Sequence, residues 1–272
     1  MSHTLKLFKT THTMLTMLLL TMSLVGCNSV QAADDSAPAT AGKTDPDRQV
    51  VLLELFTSQG CSSCPPADRL LSQLGQQEGV AALSFHVDYW NYIGWTDPFS
   101  SEDWTRRQRE YARVLRSDSV YTPQLVIDGR DHVVGSRPRD VEAAINQARQ
   151  RPAAARLAVS GLRIEGDTLR GTVRADLLRA VANPPRLLVA VAQDGLTTPV
   201  SAGENRSRTL HNDRVVRHLE AIATLEPAAG ASQNSEITLP LDPEWPRGAL
   251  GLVAFVQDSR TLEIYGAVAA QP

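Results

Sequence analysis

Lysine is nearly missing from this chain of 272 residues. Lys6, Lys9 and Lys43 are the whole set, and every other basic residue is arginine, as genome composition bias produces. Excess charge is missing too. The formal net charge is −3, which gives no reason to expect nucleic acid as a partner. No internal repeat is visible. Residues 153–272 lack any Ser-His-Asp, paired-carboxylate or phosphate-loop signature, and read as a binding or docking module. Cysteine is scarce: only Cys27, Cys61 and Cys64 occur. An odd count in an exported protein leaves one thiol to be explained. What is present is ordinary. A 42% hydrophobic content with 17 Gly and 16 Pro excludes a wholly disordered or collagen-like chain. The length suits one large domain or two smaller ones.

Residues 1–12 carry Lys6 and Lys9 and no acid, and residues 13–25 form an apolar run broken only by Thr and Ser. This is the pattern of a secretory signal. The run is too short, and too rich in hydroxyls, for a transmembrane span. Leu24-Val25-Gly26-Cys27 follows and resembles the bacterial lipobox. The resemblance implies cleavage before Cys27, lipidation of its sulfur and a membrane anchor. Asn28 stands where an aspartate would mark inner-membrane retention, which implies a lipoprotein of the outer membrane facing the periplasm. The alternative is ordinary cleavage near Gln31-Ala32-Ala33, giving a soluble periplasmic protein. Residues 28–48 hold almost no large apolar side chain and read as a flexible linker.

From Gln49 the pattern changes. Val50 to Phe56 is almost purely apolar, as in a strand buried on both faces. Cys61-Ser62-Ser63-Cys64-Pro65-Pro66 follows, and then a helical pattern with Leu70, Leu71 and Leu74 on one face. Proline fits best at the first helical position, so the helix is expected to begin at Pro65 or Pro66. Val80 to Val87 reads as a second buried strand and Arg106 to Arg116 as a helix within an aromatic, Arg-rich insert. Gln124 to Asp128 reads as a strand, Asp128-Gly129 as a hairpin turn, and Pro138 to Gln150 as a helix. After Pro152 only short strand-like runs recur. The expectation is an α/β domain over 49–152 and an all-β sandwich over 153–272.

The chemistry lies in the cysteine pair. A thiolate attacks a disulfide, and a helix N-terminus favours the thiolate. Cys61-Ser62-Ser63-Cys64 between a buried strand and a helix, with Thr122-Pro123 before a later strand, resembles the thioredoxin fold. That resemblance implies a central mixed sheet with flanking helices. It implies an exposed, nucleophilic Cys61 and a resolving Cys64. It makes Pro123 a cis-proline facing the pair and Thr122 a substrate-pairing residue. Tyr121 beside them and Trp95 on the insert join them as candidate substrate-binding residues. Glu54, in the first strand, stands near the position of a buried acid that moves a proton for the buried cysteine. Alternatively it pairs with an arginine. Aromatics of the insert (Trp90, Trp95 and Trp104) either line a peptide groove or form a small core. Asp88 and Asp97 with Arg106 and Arg107 form either a polar network near the cysteines or surface ion pairs.

Cysteine pairs followed by proline also occur in copper chaperones of the same superfamily. On that alternative Cys61, Cys64, His86 and His132 would hold copper, though those chaperones space their cysteines by three residues. Otherwise no cofactor is implied beyond the redox-active disulfide. A further alternative is a scaffold lipoprotein with a structural disulfide. The longer motifs are more specific. They are Glu54 to Ala67, His86 to Phe99, Val120 to Gln124, Gly203-Glu204-Asn205 and Asp213 to Arg217. With them the chain resembles an exported, thioredoxin-like bacterial family, DUF1223, over roughly residues 49–270. That resemblance implies the fold and an exported location but no substrate; the Cys61–Cys64 pair itself reads as that of a thiol-disulfide oxidoreductase whose partners are periplasmic protein thiols or disulfides.

Overall fold

A computed structural model describes residues 50–272. The signal segment, the lipobox Cys27 and the linker over 28–48 lie outside the described residues. The chain opens with strand β1 (Val51–Thr57), helix α1 (Pro65–Leu74) and strand β2 (Val80–His86). Helix α2 (Glu102–Val114) follows, then β3 (Gln124–Ile127), β4 (Asp131–Val134) and α3 (Pro138–Ala148). The remainder is strands: β5 (Ala155–Glu165), β6 (Thr168–Leu177), β7 (Pro185–Gln193), β8 (Leu196–Pro199), β9 (Thr209–Asn212), β10 (Val215–Thr224), β11 (Ser232–Pro240), β12 (Leu250–Asp258) and β13 (Ile264–Ala270).

Eight strands form one mixed sheet in the order β13-β12-β7-β10-β2-β1-β3-β4. β1 and β2 pair in parallel from Val51↔Val80 to Thr57↔His86, as a crossover through α1 allows. β3 runs antiparallel to β1, and β4 antiparallel to β3. The expected separate sandwich is therefore drawn differently. β11-β6-β5 form a small sheet of their own, but four strands beyond residue 152 extend the first sheet. The seam is one parallel pair, Val215↔Ser84, with Ser84 N donating to Arg214 O at 2.8 Å. A core of Leu52, Phe56, Phe85, Leu188 and Phe255 crosses that seam, so apolar burial holds the halves together where hydrogen bonds are few.

Alternation on β1 decides what faces what. Val51, Leu53 and Leu55 pack on Leu71 and Leu74 of α1 and on Val141 and Ile145 of α3. Leu52 and Phe56 point the other way, to the side of Tyr111 on α2. On the second half, Leu187, Val189 and Val191 of β7 meet Val173 and Ile237 of the small sheet. Two short strands escape a reading by apolar pattern, β8 and β9. They form a hairpin with one face exposed, from Leu196↔Asn212 to Pro199↔Thr209.

Candidate functional site

Cys61 and Cys64 are joined by a disulfide at the start of α1. Pro65 and Pro66 occupy the first helical positions and Cys64 is the N-cap, so the helix begins where proline costs no hydrogen bond. The Cys64 carbonyl accepts from Ala67 N at 2.8 Å and from Asp68 N at 3.1 Å. Both sulfurs therefore lie at the positive end of the helix. Ser62 and Ser63 between them are exposed.

The expectation of an exposed Cys61 is not met. Cys61 is 1% and Cys64 0% accessible. The cause is the loop between β8 and β9, which closes over the pair. The Asn205 amide donates to Gln59 O and to Cys61 O, each at 2.9 Å. The Glu204 carboxylate accepts from Ser62 N at 2.9 Å. The Gln59 side chain donates to Thr198 Oγ1 and Asn212 Oδ1, both at 3.0 Å. Gly203 adopts φ +71°, and a Cβ there would crowd Ile93 and Trp95, so glycine is what lets the loop come so close. Net hydrogen bonds contribute about 0.5–1.5 kcal/mol each. Asn205→Ala removes two, and is expected to speed reduction of the disulfide by dithiothreitol about tenfold. A rate within about twofold of the parent would mean that the loop does not limit access.

Pro123 opens β3, and the Thr122–Pro123 peptide bond is cis. Gln124 pairs with Phe56, so Pro123 stands beside the end of β1 from which the cysteine loop departs. Trp90 Nε1 donates to Thr122 Oγ1 at 2.8 Å, and Trp95 Nε1 to Gln59 Oε1 at 3.3 Å. Those two tryptophans reach the site, whereas Trp104 packs edge-on against Phe85 in the core. Tyr121 turns towards His132, its hydroxyl 2.8 Å from Nδ1.

Of the two readings of Glu54, pairing with an arginine is the arrangement found. Arg107 approaches Glu54 Oε1 at 2.7 Å through Nε and 2.6 Å through NH2, and the Tyr111 hydroxyl donates to Oε2. Glu54 lies on the α2 side of β1, opposite α1. The other charges of the insert separate. Arg106 pairs with Asp103 at the surface, and Asp88 accepts from Thr105 Oγ1 at 2.5 Å. Asp97 goes inward to His86 Nδ1 at 2.7 Å and accepts from Gln59 N at 2.8 Å. The four candidate copper ligands are not brought together, and no three His, Cys, Asp or Glu side chains are grouped for a metal among the described residues.

A group that sequence reasoning missed sits on the α1 side. Asp68 is buried one turn after Cys64, and its carboxylate accepts from Thr57 Oγ1 at 2.7 Å. Burial pushes its pKa up to about 6, against the attraction of His86 and the Thr57 hydrogen bond. Burial works against a charged His86, but the Asp97 charge and hydrogen bond, with Asp68, raise its pKa on balance. Asp97 loses to burial and gains more from His86, so it is lowered. The signal for Asp68 was available, because an acid on the face of Ala67, Leu71 and Leu74 breaks an otherwise apolar stripe.

Comparison with known proteins agrees with this architecture. A protein of known crystal structure from Agrobacterium tumefaciens is similar over 83% of this chain and 95% of its own, with 28% identity and a TM-score of 0.65. HBP35 of Porphyromonas gingivalis shares the fold over 83% of this chain and 77% of its own, at 16% identity and a TM-score of 0.59. A probable thioredoxin of Archaeoglobus fulgidus is 38% identical over 39 residues, which is 14% of this chain and 43% of that protein. The match thus spans less than half of that relative. Residues 52–257 match the family described as protein of unknown function, DUF1223, and the chain belongs to that family.

Proposed function

We propose that the protein is a thiol-disulfide oxidoreductase that exchanges electrons with protein thiols through Cys61 and Cys64. The observation that carries this reading is the disulfide at the N-terminus of α1, beside Thr122-Pro123 at the start of β3. β1, α1, β2, β3, β4 and α3 with sheet order β2-β1-β3-β4 form a thioredoxin-like frame, and the small sheet packed on β7 and β12 forms a sandwich appended to it. The short likeness to a probable thioredoxin supports the same chemistry. The signal segment and Cys27 support a lipoprotein facing the periplasm, whose partners are envelope proteins carrying thiols or disulfides.

Cys61 attacks a substrate disulfide, or the substrate thiolate attacks the pair, and Cys64 resolves the mixed disulfide. Thr122 and Pro123 offer the neighbouring edge to the substrate chain. Because Cys61 is buried, exchange requires the loop carrying Glu204 and Asn205 to move. The experiment is capture. Cys64→Ser, expressed in full-length form, is expected to hold envelope proteins as mixed disulfides that dithiothreitol releases and that Cys61→Ser abolishes. A second reading, a structural disulfide, is favoured by the burial of Cys61. It requires a reduction potential below about −300 mV and no captured partner, and that pair of results would displace the enzyme reading.

A further inference from the structure

At the end of β2 the main sheet parts. β2 and β10 share a single register pair, Val215↔Ser84. Val87 N turns to Thr57 O of β1, so its neighbour His86 presents its carbonyl to the other edge, the β10 side. Ser101 N takes that carbonyl at 3.1 Å in place of β10, and Ser101 forms a parallel bridge with Val87. Past this point β10 is paired on one side only, with β7, among the described residues. The parted strands leave a cleft of about 370 Å³, within the range of small-molecule sites. Residues 98–101 and Trp104 line it from the insert, and residues 216–219 with Trp245 line it from the second half.

Arg217 lies in this cleft with its charge unanswered. It is the extra residue of a β-bulge, since Val216 pairs with Ala192 and His218 with Val191. Bulges bend a strand and re-aim a side chain, and they are common beside active sites. Here the guanidinium is carried against two rings, 5.4 Å from the Phe99 centroid and 4.9 Å from that of Trp245. Stacking holds the plane of the cation and leaves its in-plane N–H donors unused. Arg217 makes no hydrogen bond or ion pair among the described residues. Asp242 attracts it from beyond ion-pair distance, and burial still lowers its pKa. Arg107 shows what a stacked arginine has elsewhere in this fold: rings against it, and Glu54 to balance its charge. The neighbouring His218 has a buried Nε2 that makes no hydrogen bond and lies 3.4 Å from Glu220.

We propose that this cleft is a binding site for an aromatic monocarboxylate. The carboxylate takes the in-plane donors of Arg217, whose planar fork matches two carboxylate oxygens. The ring of the ligand packs among Trp104, Leu219 and Trp245, where offset or edge contacts between aromatics are available. A second negative charge is disfavoured, because Asp103 lines the cleft and Glu220 and Asp242 stand close to His218 and Arg217. That selects a monoanion over a phosphate. The same chemistry is offered by a free aryl acid and by a protein chain ending in phenylalanine. Binding here needs no exchange at Cys61, so it stands apart from the redox reading.

The test is a titration of the full-length oxidised protein with phenylacetate, read by saturation-transfer NMR. Saturable binding is expected, with a dissociation constant below about 1 mM. Phenylacetamide keeps the ring and loses the charge, and should bind about tenfold more weakly. Arg217→Met should weaken phenylacetate binding to about the same degree, as the loss of a hydrogen bond between charged groups requires. No saturable binding up to about 10 mM overturns the proposal, and so does a loss of less than about threefold in either comparison. Should Arg217→Met fail to fold, Arg217→Lys decides. It keeps the charge without the planar fork, and an affinity equal to that of the parent overturns the proposal. Gly-Gly-Phe, added as a competitor, separates the two sources. Displacement of phenylacetate assigns the ligand to a chain terminus, and its absence assigns it to a free acid.

Discussion

Arg107→Met is expected to destabilise the protein by about 3–5 kcal/mol, measured by urea unfolding at neutral pH. The reason is the company that Arg107 keeps. Its guanidinium lies against the Phe85, Tyr111 and Phe255 rings, at 5.5, 5.2 and 5.8 Å, and among the described residues it forms its ion pair with Glu54. Glu54 is 1% accessible and Arg107 8%. Removing the cation leaves a carboxylate buried away from bulk solvent, which costs far more than an exposed pair is worth. Gln257 on β12 donates to the Tyr111 hydroxyl at 2.8 Å, so the loss is felt across the seam between the halves of the sheet. Replacing both charges, as Glu54→Leu with Arg107→Met, should recover most of the loss, because the desolvation of both ions is then relieved together. A single variant that loses less than about 1 kcal/mol would show that water reaches the pair. The reduction potential of Cys61–Cys64 should not move in either variant, since Glu54 faces away from α1.

That last point marks what the sequence could and could not say. The strand-cysteine-helix order, a helix start at Pro65 or Pro66, the Asp128-Gly129 turn and seven of the later strands are legible because each follows from local pattern. Glu54 was legible as a buried acid, but which face of β1 it takes depends on which side α1 packs. The alternation of Val51, Leu53 and Leu55 with Leu52 and Phe56 is apolar on both faces, so it carries no label for the helix. Asp97 was legible as a charge near the site, yet its partner His86 is eleven residues away and only the fold brings them together. The cover over Cys61 comes from Glu204 and Asn205, more than 140 residues downstream, on a loop between strands too short to announce themselves. The joining of the two halves is least legible of all. A single register pair makes it, and nothing in Val215 or Ser84 marks either as a seam.

Asp68→Asn is expected to stabilise the oxidised protein at neutral pH by up to about 3 kcal/mol and by less than about 1 kcal/mol near pH 4. The sign follows from the direction of the shift. The carboxyl titrates at about 6 when folded against a reference of 3.8, so the folded state holds the proton more tightly than the unfolded chain. Below the reference value both states are protonated and there is no penalty. As pH rises through that window the unfolded chain ionises first and folding is increasingly opposed, until above the folded value the full penalty stands. About two units at 1.36 kcal/mol each give the magnitude, and the lost attraction to His86 takes back part of it. Asparagine keeps an acceptor for Thr57 Oγ1, so the hydrogen bond survives the change. Urea unfolding of both proteins at about pH 4 and pH 7 reads the difference, in which Asp128 and the other shifted groups cancel. An equal effect at the two pH values would mean that Asp68 does not titrate in the folded protein. A gain confined to neutral pH would mean that the chain carries a destabilising carboxyl one turn from the Cys61–Cys64 disulfide.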